Sequence, residues 1–139
     1  MILVDTSAII AALSRKQREH EACARALRDS TPPRILSPFV LAELDYFIQK
    51  YSDVDTELRF LTEVSKRVYE LAPFSPEDID KAIVVIDQYR ELHIGLADAS
   101  IVVLAERYGS RDILTLDERH FRALRPPGRR TFRIFPADA

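Results

Sequence analysis

The sequence predicts the α/β class, a mostly parallel sheet wrapped by helices, in one domain over residues 1–139. Three observations lead there. Short apolar runs of β-forming residues alternate with amphipathic helical stretches. Two of those runs, Ile2-Leu3-Val4 and Ile113-Leu114-Thr115-Leu116, end directly on an aspartate. Two helices open on Ser-Pro, at Ser37-Pro38 and Ser75-Pro76, which is an N-cap followed by proline at the first helical position.

The elements follow in order. Ile2–Val4 reads as a buried strand ending at Asp5, and Thr6 and Ser7 are placed to cap a helix over Ala8–Leu13. A helix over Gln17–Asp29 is broken by Thr31-Pro32-Pro33. Arg34–Leu36 is a short strand, and the Ser37-Pro38 start launches a helix to Tyr51. Asp53–Arg67 is the next helix, with Leu58, Leu61 and Val64 as apolar positions, and Val68–Ala72 is a strand. After Ser75-Pro76 a long helix aligns Ile79, Ala82, Ile83, Ile86 and Tyr89 on one face. Leu96–Tyr108 is a helix stopped by Gly109. Strand Ile113–Leu116 ends at Asp117, helix Glu118–Leu124 stops at Pro126-Pro127-Gly128, and Thr131–Phe135 is the last strand.

Composition excludes several functions. The only glycines are Gly95, Gly109 and Gly128, too scattered for a glycine-rich phosphate cradle. The single cysteine, Cys23, excludes an intrachain disulfide framework and a Cys-rich zinc site. A net charge of −2 excludes a protein that coats nucleic acid by bulk charge. That charge is unevenly spread, with residues 41–98 acidic and both flanks basic. No stretch reads as a membrane span or signal peptide, and a reducing cytoplasm is the expected location.

Four carboxylates fall outside ordinary surface positions. Asp5 and Asp117 each follow an apolar strand, where open parallel sheets place their ligand crevice. Aspartate is also a common N-cap there, and for each alone the cap is the simpler reading. Glu43 lies four residues from both Phe39 and Phe47, so it is expected on the apolar stripe of its helix. Asp98 sits three before Ile101 and four before Val102 and shares their face, in a first turn where the helix dipole favours an anion. If the four converge, they cannot all stay ionised without a cation. An all-oxygen donor set suits Mg²⁺ or Mn²⁺.

Ile2-Leu3-Val4-Asp5-Thr6-Ser7-Ala8, Ala42-Glu43-Leu44, Gly95-Leu96-Ala97-Asp98-Ala99 and Leu114-Thr115-Leu116-Asp117 with Phe121 resemble, in order and spacing, the PIN-domain family. Within it they resemble the VapC-type toxins of bacterial toxin–antitoxin pairs. Ser37-Pro38-Phe39-Val40, Glu43-Leu44-Asp45-Tyr46, Arg119-His120-Phe121 and Leu124-Arg125-Pro126 resemble a mycobacterial subset. The resemblance implies a Rossmann-like α/β/α sandwich and a ribonuclease. It casts Asp5, Glu43, Asp98 and Asp117 as an acidic quartet around Mg²⁺ or Mn²⁺, supported by the hydroxyls of Thr6 or Ser7 and of Thr115. Phe121 follows Asp117 by four positions where three is common in the family. Expected products carry a 5′-phosphate and a 3′-hydroxyl. Expected substrates are tRNA or the sarcin–ricin loop of ribosomal RNA, with translation inhibited as the outcome. The expected partners are a second copy, forming a homodimer, and a VapB-type antitoxin lying over the helices Pro38–Tyr51 and Asp53–Arg67, with Phe60 and Tyr69 as candidate contacts.

Arginines supply the expected RNA contacts. Arg119, Arg122, Arg125, Arg129, Arg130 and Arg133 fall in a stretch with no acid. Arg15 and Lys16 form a second basic cluster with Arg18. Guanidinium groups suit bidentate phosphate contact. Phe121 and Phe132 are expected in the core rather than stacked on bases, and His120 remains a stacking candidate. A haloacid-dehalogenase phosphatase would carry a second aspartate where Ser7 stands, and a receiver domain would need a late lysine, yet no lysine follows Lys81. A catalytically silent PIN-like module that binds RNA or protein is the remaining alternative, and the intact quartet argues against it.

Overall fold

The computed structural model describes residues 1–126, 128 and 130–139. Five strands run parallel in the order β3-β2-β1-β4-β5. They are β1 (Ile2–Val4), β2 (Arg34–Leu36), β3 (Glu70–Leu71), β4 (Asp112–Leu114) and β5 (Arg133–Phe135). Around them lie α1 (Thr6–Leu13), α2 (His20–Asp29), α3 (Pro38–Tyr51), α4 (Val54–Ser65), α5 (Pro76–Gln88), α6 (Leu96–Tyr108) and α7 (Glu118–Ala123). A 3₁₀ turn spans Arg90–Leu92. No helix among the described residues is long and apolar enough to cross a membrane.

Strands covered on both faces need continuous apolar runs, which is why Ile2, Leu3 and Val4 are all buried. Leu3 pairs with Ile35 on one side and Ile113 on the other, so β1 is the central strand. The chain steps outward from β1 through β2 to β3, then crosses back to add β4 and β5 beyond β1. Right-handed crossovers put the helices of these two halves on opposite faces, which makes the α/β/α sandwich. The direction reverses between β1 and β4. In open parallel sheets that switch point, at the carboxyl ends of the two strands, is where the ligand crevice lies. Asp5 and Asp117 follow those two ends.

Several boundaries differ from expectation for physical reasons. Asp5 takes the extended N-cap conformation of α1, so Thr6 and Ser7 are its first helical residues and not its caps. The second helix starts only at His20, because Arg15, Lys16, Gln17 and Arg18 are all exposed and offer nothing to bury. In α5 the inward residues are Ala82, Val85, Ile86 and Tyr89, at the i, i+3, i+4, i+7 spacing, whereas Ile83 is 58% exposed. Phe121 and Phe132 enter the core as expected, edge to face with centroids 5.6 Å apart.

The caps hold as the sequence indicates. Ser75 and Asp78 form a reciprocal capping box at the start of α5. Gly109 ends α6 in the left-handed region at φ 64°, where other residues are strained. Ser37 does more than cap. Its Oγ accepts from Phe39 N–H (3.1 Å) and lies 2.7 Å from Ser100 Oγ, in the buried seam between α3 and α6. This bond sets the helix carrying Glu43 against the helix carrying Asp98.

Ser37→Ala removes both bonds and leaves a buried hydroxyl short of one partner. A loss of about 1–3 kcal/mol is expected in urea unfolding. Ser75→Ala, which breaks an exposed box, is expected to cost about 1 kcal/mol or less.

Candidate metal centre at the switch point

Asp5 is 5% exposed, deep for a carboxylate. It stands at the N-cap of α1, yet its side chain makes no capping bond. Instead its Oδ2 accepts from Thr115 Oγ1 at 2.7 Å and from Ser7 Oγ at 2.8 Å. Each hydroxyl is itself fixed by the backbone. Leu116 N–H donates to Ser7 Oγ and Asp117 N–H donates to Thr115 Oγ1, both at 2.9 Å. The end of β1 is thereby laced to the segment after β4. Burial raises the Asp5 pKa, the two hydroxyl donors oppose that rise, and the charge of Glu43 adds to it.

Asp98 lies in the first turn of α6, which Gly95 caps. Its pKa is pushed up to about 6, chiefly by burial and then by the charge of Asp5; His120 opposes the rise, and Asp117 and Glu43 add to it. Asp5, Asp117 and Glu43 thus all act on Asp98, and Glu43 acts on Asp5 as well. Glu43 is the one misjudged in local detail. It is exposed, not on the buried stripe, because α3 buries the adjacent row Val40, Leu44 and Ile48. It reaches the group from the rim, and its charge is felt at both Asp5 and Asp98.

Asp117 caps α7, as the simpler reading of the sequence held. Its Oδ1 accepts from His120 N–H at 3.1 Å. Its Oδ2 lies 2.8 Å from His120 Nδ1, and the same nitrogen is 3.5 Å from Asp98 Oδ2. One donor atom from each of Asp98, Asp117 and His120 falls within 4.8 Å of the others. Sequence reasoning treated His120 only as a stacking residue. The available signal was its position three after a capping aspartate, which turns an N3 side chain back toward the cap. Thr6 Oγ1 is buried with no partner among the described residues.

A PIN domain model matches residues 2–125. The chain belongs to the PIN-domain family. It is 41% identical over 135 residues to ribonuclease VapC26 of Mycobacterium tuberculosis, covering 97% of this chain and 100% of that relative, which makes it a VapC-type member. In fold it is similar to M. tuberculosis VapC20, a sarcin–ricin loop cleaving toxin, with a TM-score of 0.78 at 17% identity over 84% of this chain and 90% of that one. It is also similar to a toxin–antitoxin complex from Klebsiella pneumoniae, with a TM-score of 0.67 at 21% identity over 87% and 90% of the two chains.

The basic residues of this PIN domain divide into two kinds. Arg119, Arg125 and Arg130 are exposed and form no ion pair among the described residues, as do Arg15 and Lys16 between α1 and α2. Arg122 departs from expectation. Its guanidinium is held by Glu118 at 2.8 Å and by Asp138 at 2.7 Å and 2.8 Å, and it holds the Asp138 carboxyl down to about 2. Arg133 is likewise paired with Asp112. The acids responsible lie outside the arginine-rich stretch or just before it, so a window on that stretch misses them. Arg129 lies outside the described residues.

The face of α3 and α4 also needs correction. Phe60 and Tyr69 are each 2% exposed and pack on one another at 5.4 Å, so neither is a surface contact. The exposed apolar residues are Val54, Leu58 and Leu61, at i, i+4, i+7 along α4, with Tyr46 and Tyr51 on α3.

The raised pKa of Asp98 carries a stability consequence for the metal-free protein. Folding lifts this carboxyl from 3.8 to about 6, so the folded state binds the proton more tightly. Its contribution is most favourable below about pH 4 and is lost as pH rises through 6. Asp98→Asn is therefore expected to raise the metal-free Tm at pH 7 by on the order of a few degrees and to change it little at pH 4. A variant less stable than the parent at pH 7 contradicts the electrostatic account.

Proposed function

We propose that this PIN domain is a Mg²⁺- or Mn²⁺-dependent endoribonuclease toxin that cuts a structured RNA and is neutralised by a VapB-type antitoxin. The observation that carries the reading is the gathering of Asp98 and Asp117 beside the buried Asp5, with Glu43 at the rim, at one switch point where burial and neighbouring carboxylates push up the pKa of Asp5 and Asp98. The donor set fits a hard divalent ion. Carboxylate oxygens dominate, and the deepest carboxylate has its Oδ2 immobilised by two hydroxyls while Oδ1 takes neither.

In this reading Asp5, Glu43, Asp98 and Asp117 hold the ion directly or through water. When bound, the ion supplies Lewis acidity at the phosphate and a lowered pKa for the attacking water. Ser7 and Thr115 keep Asp5 oriented, and their own backbone donors keep them from rotating away. Thr6 contributes its unpartnered hydroxyl to the same region. Arg119, Arg125 and Arg130, with Arg15 and Lys16, contact RNA phosphates outside the acidic centre; Arg129 belongs to the same proposal from its sequence position. Because hydrolysis to a 5′-phosphate needs no 2′-hydroxyl, preference for RNA must come from binding.

The 41% identical relative is named a ribonuclease, and VapC20 is described as cleaving the sarcin–ricin loop. These names support RNA, and the sarcin–ricin loop in particular, as the substrate here; tRNA is the other substrate the sequence resemblance implies, and inhibited translation is the proposed consequence. The solved toxin–antitoxin complexes from K. pneumoniae and Rickettsia felis support an antitoxin partner. The exposed stripe Val54, Leu58 and Leu61, flanked by Tyr46 and Tyr51, is the face we assign to it. A homodimer within a toxin–antitoxin hetero-oligomer completes the proposal.

Expression without antitoxin, with mapping of new RNA 5′ ends, tests the activity. Asp98→Asn and EDTA are each expected to lower cleavage at least about 100-fold, the equivalent of roughly 2.7 kcal/mol. RNA binding without cleavage by the parent chain would favour a silent binding module, and cleavage that survives EDTA would remove the metal.

The two classes of arginine should separate experimentally. Arg119→Ala and Arg125→Ala are each expected to weaken RNA binding and to reduce the salt slope by about 1. Arg122→Ala is expected to leave the slope unchanged, because its charge is already paired within the protein.

A further inference from the structure

We propose that His120 supplies a nitrogen donor, Nδ1, to the divalent centre beside Asp98 and Asp117, and that this donor biases the site toward Mn²⁺ over Mg²⁺. The inference rests on the metal-centre reading above and adds to it a ligand and a selectivity.

The geometry is the main argument. His120 Nδ1 is 2.8 Å from Asp117 Oδ2 and 3.5 Å from Asp98 Oδ2. Donors about 2.1 Å from an octahedral ion lie about 3 Å apart on adjacent corners. Both separations are close to that edge, and all three donor atoms fit within 4.8 Å. The donors come from the first turns of two helices, α6 and α7, that meet at the switch point. Phe121, the next residue in α7, is fully buried, and the His120 side chain is 22% exposed.

Capping alone does not account for this placement. The bond from His120 N–H to Asp117 Oδ1 already caps α7. In the metal-free protein the contact with Asp117 Oδ2 is a hydrogen bond from Nδ1, which an ion would replace by displacing that proton, while the approach to Asp98 on a different helix adds nothing to the cap. It does bring one imidazole nitrogen among oxygen donors. Mg²⁺ prefers oxygen ligands and retains its waters, whereas imidazole is a favourable ligand for transition metals. Of the two ions the carboxylates suit, the nitrogen favours Mn²⁺.

The other histidines are accounted for elsewhere. His20 Nδ1 lies 2.9 Å from the Ala11 carbonyl oxygen, and His93 is exposed after the 3₁₀ turn. A nitrogen signal from bound metal therefore reports His120.

The test loads the full chain with Mn²⁺ and reads nitrogen coupling by pulsed electron paramagnetic resonance. Imidazole ¹⁴N modulation is expected in the parent chain, in His20→Gln and in His93→Gln, and is expected to vanish in His120→Gln. Labelling the unaltered chain with ¹⁵N-histidine should change the modulation pattern, so the test does not depend on the folding of any variant. His120→Gln is also expected to lose about tenfold or more in Mn²⁺ affinity, with Mg²⁺ affinity changed by less than about threefold. Mn²⁺ bound without nitrogen modulation, or equal loss of both affinities, overturns the role of His120 and leaves the carboxylate centre standing. Failure of the parent chain to bind Mn²⁺ at all overturns both.

Discussion

The buried bond set around Asp5 is the constraint on which the rest of this structure depends. A carboxylate that is 5% exposed carries a desolvation penalty, and here two hydroxyls offset it at 2.7 and 2.8 Å. Those hydroxyls belong to residues on either side of the sheet's switch point, Ser7 in α1 and Thr115 beyond β4. Satisfying Asp5 therefore ties together the ends of the two strands that frame the crevice. The same bonds aim the backbone at Asp117, whose N–H is held by Thr115. Position and chemistry are set by one network.

Electrostatic tension at this point is the counterpart of order elsewhere. The Ser37 and Ser75 caps, the β1 pairing and the α3–α6 seam through Ser37 and Ser100 are all satisfied. At the crevice, burial and mutual repulsion together hold Asp98 near 6. A fold that places Asp5 and Asp98 where their ionised forms are disfavoured has concentrated its local conflict at one site, and functional sites are where such conflict is found. Away from it some charges are neutralised internally, as Arg122 with Asp138 and Glu118 shows.

Much of the fold was legible because its signals are local. Ser37-Pro38 and Ser75-Pro76 start α3 and α5, Gly109 ends α6, and the apolar run Ile2–Val4 makes β1; each depends on a few adjacent residues. The candidate site was partly legible for a related reason. Asp5 and Asp117 are marked by the strands before them and Asp98 by its helix face. Glu43 was recognisable by type but not by exposure, since the choice between neighbouring rows of α3 depends on what packs against the helix. His120 was passed over because its partner Asp98 is distant in sequence and sits on another helix.

By itself the sequence determined the class and the order of elements and singled out the candidate acids, since periodicity, caps and strand-end aspartates are properties of short segments. Only the tertiary structure decided which strands are neighbours, and with that where the switch point falls. It also decided which charges are spent on one another, because an ion pair such as Arg122–Asp138 is defined by distance in space. Phe60 and Tyr69 turned inward and Val54, Leu58 and Leu61 outward for the same reason. A helix with two apolar rows buries the one its neighbours can cover, and that choice belongs to the assembled fold.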